Sequence, residues 1–229
     1  MISRVESGIP GLDPLIQGGF LSNSVNLISG ETGTGKTIFC LQFLWHGLQK
    51  GENCLYITLE EEPNDILEDA LQFGWDFNKF IKKGMFKISY YDPAQMSNMG
   101  SMIMDEIRRM GVKRLVIDSI SIVGLIIENP SQTRKNLYNL ISTIKKTECT
   151  VLLTSEIVDG SQQLSRSGVE EFVVDGVIRL CFTGVGGEEE NRLQVRKMRR
   201  TRHPKGFFPF SFTSKGIVVR KDESSVLMK

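Results

Sequence analysis

The chain has 229 residues, 40% of them hydrophobic, enough for one sizeable core and a single α/β domain over residues 1–229 rather than two full domains. Lys and Arg number 28 against 27 Asp and Glu, a formal net charge of +1, which excludes a whole-molecule field drawing in nucleic acid or an anionic membrane. No apolar stretch reaches the roughly 18 residues of a membrane span, and the opening MISRVESGIPG lacks the apolar core of a signal peptide, so a soluble, cytoplasmic protein is expected.

In chain order, short apolar runs alternate with longer segments of helical period, the pattern of a mostly parallel sheet with helices on its faces. The first strand, 25–29, runs into a glycine-rich loop. A helix over 38–50 follows, with Phe39, Phe43 and Leu44 at helical spacing, Trp45 and His46 in its packing and Gly51 at its end. Further strands are expected at 54–59, 85–90, 114–118 and 150–155. Helices are expected at 64–73, capped by Asn64, and at 98–110 and 132–146. The final runs, 176–182, 193–198, 208–212 and 217–220, have no helices between them and extend the sheet through C-terminal β-hairpins. Cys40, Cys54, Cys149 and Cys181 stand singly on these elements and read as reduced core residues.

Four segments carry chemistry. The residues Gly30, Glu31, Thr32, Gly33, Thr34, Gly35, Lys36 and Thr37 form G-x-x-x-x-G-K-[ST] between a strand and a helix, which is a P-loop. Its backbone amides converge on a phosphate and the helix N-terminus adds positive potential. Lys36 brings charge to the β and γ oxygens, Thr37 is placed to ligate Mg²⁺, and Ile38 closes the nucleotide-binding run. Leu115-Val116-Ile117-Asp118 is an apolar strand ending in a carboxylate that can act on the same Mg²⁺, so Thr37 and Asp118 are the metal residues.

Glu60, Glu61 and Glu62 end the strand after the P-loop helix, where a carboxylate can polarise water for hydrolysis. Strand alternation would send Glu60 and Glu61 to opposite sides, and Glu62 reads as the acidic start of a helix. Arg192 to Lys205 contains seven Lys or Arg. Alternation there sets Lys197 and Arg199 on one face with Leu193 and Val195, and Arg196 and Arg200 on the other. Lys197 and Arg199 could neutralise a transferring phosphoryl group as an arginine finger does.

Together with Ser7-Gly8-Ile9-Pro10-Gly11-Leu12-Asp13, Gly18-Gly19, Thr58-Leu59-Glu60-Glu61, Phe73-Gly74-Trp75, Asp118-Ser119, Gly168-Val169-Glu170-Glu171-Phe172 and Lys197-Met198-Arg199-Arg200-Thr201-Arg202-His203, these segments resemble a KaiC-type ATPase. Lys205-Gly206 and Pro209-Phe210 continue a similarity that covers nearly the whole chain, and one P-loop matches the single-domain members. The resemblance implies a RecA-like α/β P-loop fold and a homo-oligomeric ring, commonly a hexamer, with ATP and Mg²⁺ held between subunits. It implies Glu60 and Glu61 as catalytic carboxylates beside Lys36, and Lys197 and Arg199 reaching a neighbour's ATP. Gln72, Met198, Thr201, His203, Thr213 and Ser214 are placed near the base, ribose or phosphates. Gly168 to Gly176 holds no Ser or Thr, so self-phosphorylation there is excluded and hydrolysis is the expected reaction.

Three functions stay open at this point: a regulatory or signalling oligomeric ATPase, a recombinase-like ATPase that handles DNA, and a nucleotide-sensing scaffold read by a partner protein. Against DNA, residues 119–131 carry no Lys or Arg, and 156–168 carry only Arg166 beside a repelling Glu156. Arg196, Arg200 and Arg202 leave room for a salt-sensitive DNA affinity.

Overall fold

The computed structural model describes residues 2–126, 129–158, 161, 163–185 and 188–220. Strands β1 (Arg4–Val5) and β2 (Phe20–Leu21) pair with each other, and β3 (Val25–Gly30) leads into helix α1 (Lys36–Gln49). Then come β4 (Cys54–Thr58), α2 (Pro63–Gln72), α3 (Asn78–Lys82), β5 (Phe86–Tyr90), α4 (Met96–Met110) and β6 (Arg114–Asp118). Helices α5 (Ser121–Ile126) and α6 (Pro130–Ile144) precede β7 (Thr150–Glu156) and the one-turn α7 (Glu170–Val173). Strands β8 (Gly176–Val185), β9 (Glu188–Met198), β10 (Phe207–Thr213) and β11 (Gly216–Val219) close the chain.

The nine-stranded sheet has the order β11-β10-β9-β8-β3-β7-β6-β4-β5. From β8 to β5 neighbouring strands are parallel, and β9, β10 and β11 are added antiparallel, as their helix-free sequence predicts. This is the RecA-like α/β architecture.

Period-two alternation divides the apolar residues between the two faces. Tyr56, Val116, Leu152 and Ile28 join α1 and the N-terminal Leu12, Ile16 and Phe20 in one cluster, while Leu55, Ile117, Leu153 and Leu27 face α4 and α6 in the other. Each fully buried Leu or Ile contributes about 1.5–3 kcal/mol, and both faces of the parallel strands are covered. All four cysteines are buried. Trp75 is buried and stacks on Phe73 at 4.9 Å, Trp45 packs edge-on to Phe77 and Phe80, and His46 pairs with Glu6 at 2.9 Å. Arg114, 2% exposed, binds Glu52 and the carbonyls of Glu6 (2.8 Å) and Phe43 (2.9 Å), tying β6 to α1 and the N-terminal segment. Among the described residues no helix is long and apolar enough to cross a membrane.

Three local expectations are corrected. Helix α2 begins at Pro63, with Glu62 at the capping position, so Asn64 lies inside the first turn; proline suits the first helical position because its missing N–H has no partner there. By the same device Pro130 starts α6 two residues earlier than expected, and Asn129 accepts from the amides of Ser131 and Gln132. The third is a bulge in β9. Val177 pairs with Lys197 but Ile178 pairs with Val195, so Arg196 is an inserted residue. It turns Lys197 away from the α1 face, where Leu193 and Val195 lie, and gives that face to Met198.

Candidate functional site: the P-loop cleft

Strand β3 carries the chain to the carboxyl edge of the sheet, and the loop that follows needs its glycines for different reasons. Gly33 and Gly35 take φ values of 81° and 86°, the left-handed region that glycine enters without cost. Gly30 needs space instead, since a Cβ there would lie 2.4 Å from the Leu180 carbonyl oxygen and 2.5 Å from Thr34 Oγ1. A Cβ on Gly35 would lie 2.5 Å from the Phe212 ring, so the β10–β11 hairpin closes on the loop. Lys36 Nζ donates to the carbonyls of Gly30 (3.1 Å) and Glu31 (2.9 Å). Burial lowers its proton affinity, opposed by the carboxylates of Glu156, Asp118, Glu60 and Glu31.

Asp118 ends β6 beside this loop and receives three hydroxyl groups. Thr37 Oγ1 donates to Asp118 Oδ2 at 2.8 Å, Tyr56 donates to the same oxygen at 2.5 Å, and Thr154 donates to Oδ1. The strand register explains the convergence. Asp118 pairs with Thr58 on β4, and Ile117 pairs with Leu153 on β7, so Tyr56 and Thr154 flank it from neighbouring strands.

Glu60 and Glu61 follow β4 in a turn built by Thr58, whose hydroxyl donates to the Glu61 carbonyl (2.7 Å) and accepts from the amides of Glu61 (3.0 Å) and Glu60 (3.4 Å). Because the strand stops at Thr58, alternation does not apply, and both carboxylates line one cleft. That corrects their expected divergence. The cleft has a volume of about 260 Å³ and joins Thr32, Gly33, Gly35, Lys36, Thr37 and Ile38 to Glu60, Glu61, Asp69, Asp118, Ser119 and Glu156. Burial raises the pKa of Glu60, helped by Glu156 and Asp118, while the Ser119 hydroxyl acts against it. Burial also raises that of Glu61, helped by Asp118, Asp69 and Asp65.

The basic segment lies elsewhere. Lys197 pairs with Val177, which pairs with Leu27, three residues before Gly30. That is about 10 Å back along the strands and two strand spacings, again about 10 Å, sideways. Lys197 Nζ donates to the carbonyls of Glu171 (2.9 Å) and Val174 (2.8 Å), and its proton affinity is lowered by burial and then by Arg199. The Arg199 amide donates to the Asp175 carbonyl (2.9 Å), and the Arg199 guanidinium approaches the Asp175 carboxylate (3.6 Å).

None of the six residues expected at base, ribose or phosphates lines the cleft. Gln72 ends α2 and is exposed, and Met198 is buried in the core. Thr201 accepts from Arg4 at 3.1 Å, and His203 contacts the Pro204 carbonyl. Thr213 donates to Gly216, and Ser214 is exposed at the hairpin turn.

A family profile described as "ATPase: KaiC" matches residues 5–224. The chain belongs to the KaiC family of ATPases. A KaiC-like protein from Pyrococcus horikoshii OT3, known from its crystal structure, is 38% identical, superposes with a TM-score of 0.89, and is matched over 96% of this chain and 100% of that one. A UPF0273 protein from Pyrococcus furiosus is 37% identical over 240 residues, 97% of this chain and 96% of that relative. The circadian clock oscillator protein KaiC of Prochlorococcus marinus subsp. pastoris is 35% identical over 229 residues, 95% of this chain but 45% of that protein. This KaiC-family chain therefore spans less than half of the clock protein and nearly all of the other two relatives.

Sequence reasoning missed Tyr56, Asp69 and Thr154, left Ser119 unassigned, and read Glu156 only as a repellent for DNA. Glu156 also lines the P-loop cleft and approaches Arg166 at 3.9 Å. Thr154 had a readable signal, a hydroxyl directly after the apolar run Val151-Leu152-Leu153 towards the carboxyl end of β7. Of the two segments weighed as DNA loops, residues 127–128, 159–160 and 162 lie outside the described residues.

Proposed function

We propose that this chain binds ATP with Mg²⁺ in the P-loop cleft and hydrolyses it, as a cytoplasmic homo-oligomer, a ring of six, in which each ATP lies between two copies. The observation that carries this reading is the 2.8 Å contact from Thr37 to Asp118 inside the cleft that also holds Lys36, Glu60 and Glu61. A hydroxyl and a carboxylate side by side suit a hard cation that prefers oxygen donors, so Thr37 and Asp118 would hold Mg²⁺, directly or through water. Bound there, the ion would neutralise charge on the β and γ oxygens.

Lys36 has its ammonium on two loop carbonyls and exchanges them for phosphate oxygens. Tyr56 and Thr154 fix the carboxylate of Asp118. Burial raises the proton affinities of Glu60 and Glu61 from the usual glutamate value, which suits a group that orients water and accepts its proton. Lys197 and Arg199 stand too far from their own P-loop to serve it, which supports their action on the ATP of an adjacent copy. Gln72, Thr201, His203, Thr213 and Ser214 would contribute to base and ribose binding, and Met198 through its main chain, since its side chain is in the core. The name of the clock relative supports a regulatory or signalling role.

Titration with Mg·ATP and a phosphate-release assay test the reading. Lys36→Ala should lose binding, and Glu60→Gln/Glu61→Gln should keep binding while phosphate release falls by about 10²–10⁴-fold. Release unchanged in the double variant would overturn the enzyme reading, and no binding by the folded wild-type chain would overturn all of it.

A further inference from the structure

A groove of about 570 Å³ lies away from the P-loop cleft, between α6 and α7. The α6 residues Arg134, Lys135, Tyr138, Ile141 and Ser142, with Lys145 at the C-cap, recur at three- and four-residue spacing, so they share one helix face. Arg199 and Phe172 also line it, and among the described residues no carboxylate does; Asp175, which pairs with both Lys145 and Arg199, lies behind them. Tyr138 is 60% and Phe172 59% exposed, and the Arg134 guanidinium lies 5.7 Å from the centre of the Phe172 ring. Two large exposed rings among cations make a surface suited to an anionic partner with an apolar anchor.

The same chain carries such a surface on its other flank. Helix α2 exposes Asp65, Glu68 and Asp69, with Leu71 47% exposed among them. From Glu60 to Gln72 there is no Lys or Arg. Helix α2 lies between β4 and β5 in the chain, at the β5 edge of the sheet, whereas α7 leads into β8 and the groove includes Arg199 at the end of β9. Two different surfaces on opposite flanks can meet only head to tail, a contact that closes into a ring when the rotation permits.

We propose that the α6–α7 groove docks the acidic α2 of a second copy of this chain, with Arg134 and Lys135 facing Asp65 and Glu68 and with Leu71 as the apolar anchor against Tyr138 and Phe172. The inference rests on the shared-site reading above and deepens it. Docking of α2 brings Arg199, on the groove wall, towards the P-loop cleft that Asp69 of the same α2 lines.

Light scattering with Mg·ATP on three full-length chains tests it: wild type, Arg134→Glu/Lys135→Glu, and Asp65→Lys/Glu68→Lys. Each variant should fold, by circular dichroism, and lose the assembled mass, because each sets like charges against one another. Mixed in equal amounts, the two variants should regain it, since every contact in an alternating ring is again between opposite charges. Assembly of either variant at wild-type strength, or failure of the mixture to assemble, would overturn the docking and leave the shared site standing. Loss of nucleic-acid binding in Arg134→Glu/Lys135→Glu with assembly unchanged would assign the groove to a polyanion instead. A wild-type chain that stays monomeric with Mg·ATP would overturn both readings.

Discussion

Asp118 on β6 is held by three hydroxyl groups, those of Thr37 from α1, Tyr56 from β4 and Thr154 from β7, so the proposed metal position depends on four elements rather than on one residue. Removing a hydrogen bond to a charged group costs about 1.5–3 kcal/mol, so Tyr56→Phe should lower unfolding free energy by that order in a denaturant titration and weaken Mg²⁺-dependent turnover as well. Glu60 and Glu61 work against stability. Their folded pKa values lie above 4.5, so in the pH window just above 4.5 the native state binds more protons than the unfolded chain and stability falls as pH rises. Thermal unfolding across that window should show a shallower fall for Glu60→Gln/Glu61→Gln than for the wild type, and a variant melting higher near neutral pH. Identical pH slopes would mean that the two carboxylates are not held in the cleft as described. Such a trade of stability for activity is common where charges are gathered for chemistry.

The P-loop, the carboxylate-ended β6 and the four helix-free C-terminal strands were legible because each has a strong local signal: glycine spacing, an apolar run ending in an acid, and period-two runs between turns. The two-stranded β1–β2 pair and helices α3, α5 and α7 were not, since none is longer than six residues and periodicity needs more length to register. The facing of Lys197 was lost to the bulge at Arg196, which no composition rule announces. The expected divergence of Glu60 and Glu61 failed because a threonine turn ends β4 at Thr58, two residues before Glu60. At this scale Arg114 links three elements through one buried guanidinium. Arg114→Ala takes the guanidinium from two carbonyls and from Glu52, which is 33% exposed and can turn to water, and should cost about 1–3 kcal/mol in chemical unfolding. A cost below about 1 kcal/mol would show that the N-terminal segment is held by other contacts.

For the whole molecule, a net charge of +1 conceals an uneven distribution, with acids gathered at the P-loop edge and α2, and cations on α6 and the end of β9. Contacts steered by such charges weaken when the screening length falls from about 8 Å at physiological salt to about 3 Å at 1 M. Assembly in Mg·ATP should therefore decline with added salt while ATP binding to the single chain changes less, as read by light scattering beside nucleotide titration. The most direct test of a site completed by the next copy is phosphate release from an equal mixture of Lys36→Ala and Arg199→Ala chains, each inactive alone. The account predicts that mixing restores part of the wild-type rate, because some interfaces then pair an intact P-loop with an intact Arg199. A mixture that assembles yet stays as inactive as its components would contradict it.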